Sequence, residues 1–274
     1  MKTILAPIDY SEVSNNALDY AAELAAFTNA KLVLLHAYHI PLPTGDAPIL
    51  MISPKDVEEE NKQAIKKAEK RIQKITGGKI KVESIAHEGF ATDAILNVAK
   101  EKNADLIVMG ITGAGKIAQA VIGSVSTAVM KKANIPVLII PAKATFSEAK
   151  KIVYACDYEK IENHSALEPM WELAHIFGSE IMVFNVKDSR VQPTTKEAIE
   201  GIKLDHWLGR VKHSYWFSEN RDIAEAINDF AKKNKAVMVA MVARKHSFPE
   251  NLIHKSITKQ MAFNTQMPLL SIHE

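Results

Sequence analysis

The chain has 274 residues with 34 Lys and Arg against 32 Asp and Glu, a net charge of +2, 47% hydrophobic and 24% charged residues. That is the profile of a folded globular protein rather than a disordered one, and the charge balance supplies no reason to expect nucleic-acid or membrane-surface binding. The single cysteine, Cys156, leaves no intrachain disulfide; with no signal-peptide core after Met1 and no apolar run near the ~18–20 residues of a membrane span, the expected location is the cytoplasm.

The first element is a short apolar run, Ile4 to Ile8, that ends in Asp9-Tyr10 and reads as a buried parallel strand followed by a loop. A helical stretch follows, with Ala17, Leu18 and Ala22 to Ala25, and then a second strand, Lys31 to Ala37. Pro41, Pro43, Gly45 and Pro48 mark a loop. A charged helix from about Lys55 to Ile75 carries a sparse apolar face of Val57, Ala64, Ala68 and Ile72. Further strands are expected near Ile80–Ala86, Asp105–Met109 and Val137–Ile140, with a helix from Ser124 to Lys132.

The pattern then repeats. Ile152 to Tyr158 again ends in Asp-Tyr, and Ala166-Leu167 answers Ala17-Leu18 at an offset of 149. Ala226-Ile227 answers Ala94-Ile95, and Met267-Pro268-Leu269-Leu270 answers Ile135-Pro136-Val137-Leu138, at an offset of 132. The offset falls because the first half has the longer middle segment, Tyr38 to Gly78. The later strands of the second half are expected near Val211–Phe217, Ala236–Met241 and Leu269–Ile272. A repeat of this length is a duplicated domain, with limits 1–143 and 150–274 and a linker at about Ala142 to Lys150. Strand–helix alternation predicts two tandem α/β units, each a doubly wound parallel five-stranded sheet. Such sheets bind ligands at the carboxyl ends of their strands.

The loop after the fourth strand is rich in chemistry: Gly110, Gly113, Gly115 and Lys116, then Gly123-Ser124-Val125-Ser126 opening a helix. Glycines permit positive φ and close backbone approach, and a helix start offers free N–H groups to an anion. Gly110 to Lys116 fits the start of a Walker A loop, but Ile117 stands where that loop needs a magnesium-binding hydroxyl. A turn with a helix cap is the bland alternative.

Gly, two residues, Gly, nine residues, Gly-Ser resembles the ATP-binding signature of universal stress proteins. The Asp9 loop and the ending Asn134 to Pro141 resemble other elements of that family. The resemblance implies sheet order 3-2-1-4-5, an adenine nucleotide alpha hydrolase-like, Rossmann-like arrangement, and ATP as ligand, with or without magnesium. It places Asp9 and the Pro7-Ile8 backbone at the adenosine, Ala37 beside adenine, and Met109, Gly110 and Gly113 along the ribose and phosphates. Gly123, Ser124, Val125 and Ser126 would hold the phosphates. In the second half, Val242, Lys245 and Lys255 replace Gly110, Gly113 and Gly123, so nucleotide is expected in the first half alone.

Other candidates carry less. His36 and His39 have poor spacing for a shared metal, Cys156 reads as a buried small hydrophobe, and Trp171, Trp207 and Trp216 read as core or interface residues. Three functions remain: a nucleotide-dependent regulatory protein with an unidentified protein partner, a slow ATPase or phosphotransferase, or an interaction protein with a vestigial site. The reading favours binding over catalysis, since no general base or second cationic clamp is evident beyond Lys116. The fifth strands, Val137–Ile140 and Leu269–Ile272, are apolar edges expected to pair within the chain as a pseudo-dimer. A homodimer would then need another surface.

Overall fold

In the computed structural model the described residues are 1–39, 53–111, 124–148, 150–158, 164–187, 195–209, 211–243, 261 and 266–273. Among them the first half runs β1 (Thr3–Ile8), α1 (Glu12–Thr28), β2 (Lys31–Tyr38), α2 (Pro54–Thr76), β3 (Val82–Glu88), α3 (Ala91–Glu101), β4 (Leu106–Ile111), α4 (Ser124–Lys132) and β5 (Val137–Pro141). The second half runs β6 (Lys151–Ala155), a 3-10 turn (His164–Leu167), α5 (Glu168–Phe177), β7 (Glu180–Lys187), α6 (Thr195–Leu208), β8 (His213–Glu219), α7 (Ile223–Lys233), β9 (Met238–Ala243) and β10 (Leu269–His273).

All ten strands form one sheet in the order β3-β2-β1-β4-β5-β10-β9-β6-β7-β8. Each half contributes the order 3-2-1-4-5. Pairing is parallel except where β5 meets β10 antiparallel, with Leu138 opposite Leu270. The registers repeat as the sequence offsets require: Ile4 lies opposite Leu106 in one half, and Ile152 opposite Met238 in the other.

Alternation along the buried strands sorts the core into two layers. Ile4, Ala6, Leu32, Leu34 and Leu138 face α1 and α2, together with Ile152, Val183 and Leu270 from the second half. Leu5, Val33, Ile107 and Ile139 face the opposite way, toward α3, α4 and α7. Each layer runs across both halves, so the junction is core rather than a flexible tether. Phe146 of the linker reinforces it by packing on Tyr20 at 5.4 Å and Phe177 at 6.1 Å. Asn16 Nδ2 donates to the carbonyls of Pro141 and Ala144 at 3.1 and 2.9 Å, tying the linker to α1. The Met1 ammonium pairs with Glu172 of α5.

Local chemistry explains the element ends. Ser11 caps α1 by accepting from the Ser14 N–H, and α1 stops at Asn29 in the left-handed region. α2 starts at Ser53-Pro54 and stops at Gly77, also left-handed. No helix among the described residues is long and apolar enough to cross a membrane.

Three sequence expectations shift. β3 and β8 each begin two residues later than expected, at Val82 and His213. β9 begins at Met238 rather than Ala236, because Lys235 turns at φ 55° and the Ala236 N–H returns to the Ala231 carbonyl. Trp216, expected as a core or interface residue, is 43% exposed and so lies outside the core.

Candidate functional site

The strand ends that a doubly wound sheet reserves for ligands converge on one cleft of about 340 Å³. β1 delivers Pro7, Ile8 and Asp9. β2 delivers Ala37, β4 delivers Met109 and Gly110, and the start of α4 delivers Ser124, Val125 and Ser126. Nine residues expected from the sequence thus line a single space. Gly113 and Gly123, like Lys116, lie outside the described residues.

Asp9 stands at the mouth of the cleft, held by its own loop. Its Oδ1 accepts from the Ser11 N–H at 3.0 Å, and its N–H donates to Ser14 Oγ at 3.3 Å. Burial pushes the Asp9 carboxyl up, but the hydrogen bonds from Ser11 and Ser14 together outweigh it and hold the group below its ordinary value. The next residue, Tyr10, adopts φ 64°, a conformation rare for a bulky side chain. Its ring packs on His36 at 4.5 Å, and His36 Nδ1 lies 2.9 Å from the Ile8 carbonyl. A carbonyl can only accept, so that ring nitrogen carries a proton. Burial pushes the Tyr10 phenol up to about 12, leaving it neutral.

The floor is apolar: Leu35, Ile95, Met109 and Ile111. On the far wall, Ser126 Oγ donates to the Gly110 carbonyl at 2.9 Å and clasps the start of α4 to the end of β4. Ser126 is buried and Ser124 is exposed. The start of α4 thus lines the cleft, and the first-turn N–H groups of a helix favour an anion.

Gly110 corrects one expectation. Its φ is not in the left-handed region, so no turn demands glycine there. A Cβ at 110 would instead lie 2.7 Å from both Cγ1 and the carbonyl oxygen of Val13. Glycine is required by the first turn of α1, which packs directly on β4.

Ser11, Val13, Ser14, Ala91 and Ile95 also line the cleft and were not singled out in the sequence. Ser11 and Ser14 were legible as a helix-cap pattern beside Asp9. Ala91 and Ile95 show only as apolar positions of α3. Asp9 is the one ionisable side chain among the described lining residues. This arrangement can bind a flat heterocycle over an apolar floor, accept one hydrogen bond from it, and receive an anion at the helix start.

The model of the universal stress protein family matches this chain twice, over residues 1–141 and 148–273. A universal stress protein of Methanocaldococcus jannaschii is 33% identical over 142 residues, 51% of this chain and 81% of its own. The crystal structure of a universal stress protein from Archaeoglobus fulgidus superposes with a TM-score of 0.74 at 19% identity, covering 99% of this chain and 98% of the other, a likeness of fold. A universal stress protein solved in complex with cAMP is 29% identical, covering 51% of this chain and 96% of the other, with a TM-score of 0.40.

Proposed function

The chain belongs to the universal stress protein family, and on that footing we propose that it binds one ATP in its first half and acts as a nucleotide-dependent regulatory protein of the cytoplasm. The proposed domain limits are 1–143 and 150–274. The observation that carries the reading is the convergence of four separate segments, the ends of β1, β2 and β4 and the start of α4, on one cleft. Its volume falls within the ~300–1,000 Å³ typical of small-molecule sites.

The residues suit the nucleotide. Leu35, Ala37, Met109 and Ile111 offer the purine an apolar bed. Asp9, kept ionised, accepts from an adenine amine or ribose hydroxyl. The N–H groups at Ser124 to Ser126 receive phosphate, together with Gly113 and Gly123 on the assignment drawn from the sequence. Magnesium, if bound with the nucleotide, would be held by phosphate oxygens and water.

Hydrolysis is the weaker reading. Asp9 is the sole ionisable side chain among the described lining residues, and a carboxylate held below its ordinary pKa is a poor general base. Calorimetric titration with ATP, and in a second series with cAMP, tests the proposal. Saturation at one ATP per chain with negligible single-turnover hydrolysis supports it. Two equivalent sites, or no ATP binding, overturns it.

A further inference from the structure

The second half holds a different cavity, of about 490 Å³, on the face of the sheet covered by α6. Its walls are Tyr158, Tyr215 and Phe217 from the strand side and Ala198, Gly201 and Ile202 from α6. The nucleotide cleft of the first half opens on the other face, beside α3 and α4.

The cavity arises where the two halves diverge. In the first half α2 has 23 residues, and Ile65, Ala68 and Ile72 are buried beneath it. Glu69 there accepts from Ser84 at 2.9 Å, closing the helix onto β3. α6 has only 14 residues. Gly201 stands where α2 has Glu69, Tyr215 where β3 has Ser84, and Phe217 where it has Ala86. The helix has lost side chains, and the strand has gained aromatic ones. Gly201 opens the floor down to Tyr158, whose ring a Cβ at 201 would meet only at 3.6 Å. Tyr158 and Phe217 stack at 6.1 Å with 24° between their planes, forming a wall for a flat molecule.

The polar groups at the ends are already engaged. Lys187 pairs with Glu197 at 3.0 Å, both side chains about one-fifth exposed. Asp205 accepts from the Tyr215 hydroxyl and from His213 Nε2, each at 3.1 Å. Among the described lining residues no charge calls for a counter-charge, so recognition falls to stacking and apolar burial. Phe217 and Ile202, 69% and 71% exposed, flank the mouth and gain most from being covered. The volume suits a ligand of small-molecule size.

We infer that this cavity is a second ligand site, distinct from the nucleotide cleft, that takes a planar, uncharged aromatic molecule. The proposal is independent of ATP binding in the first half.

The test uses the full chain and the neutral fluorophore N-phenyl-1-naphthylamine. Saturable fluorescence enhancement, unchanged by excess ATP, is expected. Gly201→Leu extends a side chain into the cavity while replacing a helical glycine, so it should remove the saturable signal without lowering the unfolding midpoint. Ile199→Asp, on α6 but outside the lining, should retain it. Displacement of the probe by ATP, equal binding to the Gly201→Leu variant, or no binding by the wild type would each overturn the proposal. A dimer that Phe217→Asp dissociates, in a protein that takes up no probe, would assign the mouth to a second copy and overturn it as well.

Discussion

The carboxyl end of β4 and that of β9 are the same place in two copies of one fold. In the first copy Gly110 lets the opening turn of α1 rest on the strand, with Val13 where a Cβ would otherwise sit. α1 therefore begins at Glu12, immediately behind Asp9. In the second copy Val242 occupies the glycine's position, and α5 begins only at Glu168, after the 3-10 turn His164–Leu167. The cleft's other walls also thicken: Ala37 becomes Val186, Ala91 becomes Ile223 and Leu35 becomes Phe184. Phe184 is buried and stacks on Phe230 at 3.9 Å. The first copy's cleft is thus lined by small residues on several elements at once, where the second copy carries larger ones. The loop that carries Asp keeps its geometry in both copies. Tyr158 keeps the left-handed φ of Tyr10, and Asn185 Nδ2 donates to the Cys156 carbonyl at 2.7 Å, as His36 meets that of Ile8.

The severest way to break the comparison is to break the junction that joins the copies. Leu138 and Leu270 are fully buried and face each other across β5 and β10. Leu138→Asp buries an unpaired charge and should cost at least about 3 kcal/mol. Chemical denaturation should show one destabilised transition or two separated ones, with an expanded radius by small-angle scattering. A variant as stable and compact as wild type would contradict the shared core.

A milder exchange makes the first copy resemble the second. Gly110→Val drives Cβ into Val13 and should cost roughly 1–3 kcal/mol through overpacking, with loss of ATP binding by calorimetry. The reciprocal Val242→Gly should fold but gain no ATP site, because Val186, Ile223 and Phe184 remain. Recovery of two sites per chain in that variant would mean that one glycine, not a set of small residues, decides occupancy.

The duplicated sheets were legible because buried parallel strands announce themselves as apolar runs, and both copies kept theirs. Strand starts were less legible. Ile80 and Val211 are apolar but precede the ladder, whose first pairs involve Val82 and His213. At the site, Asp9 and Ser124 stood out by chemical type, whereas Ala91 and Ile95 are ordinary apolar helix residues until tertiary packing brings them to the cleft. The reason for Gly110 was illegible: its constraint comes from Val13, distant in sequence. The aromatic cavity under α6 was missed because Tyr158 follows β6 while Tyr215 and Phe217 lie far along the chain on β8, and only the fold places them around one space.

The smallest expected effect concerns Asp9. Its folded-state pKa lies below the ordinary value, so its contribution to stability is present above about pH 4 and is lost as pH falls through the folded value. Asp9 should therefore add no pH dependence to ATP affinity between about pH 7 and about pH 5, once protonation of the ATP phosphate itself is allowed for. Asp9→Asn should weaken ATP binding while flattening the acid limb of the stability curve. Titrations at the two pH values, with acid unfolding of both proteins, check this; a marked fall in wild-type affinity by pH 5 would assign the dependence to another group.

The antiparallel junction has a consequence for inheritance. Leu138 meets Leu270, its own counterpart in the duplicate, so the centre of the seam lies on a local two-fold axis. On either side the partners have ceased to be mirror images: Leu269 faces Ile139, whereas Ser271 faces Val137. In an assembly of identical subunits every altered codon is expressed on both sides of the axis. A serine like Ser271, whose buried hydroxyl oxygen has no hydrogen-bond partner, would have appeared there twice. Joining both subunits in one reading frame halves that dose. One copy can keep small residues around its cleft while the other takes larger ones at the matching positions and a shorter helix over a different space.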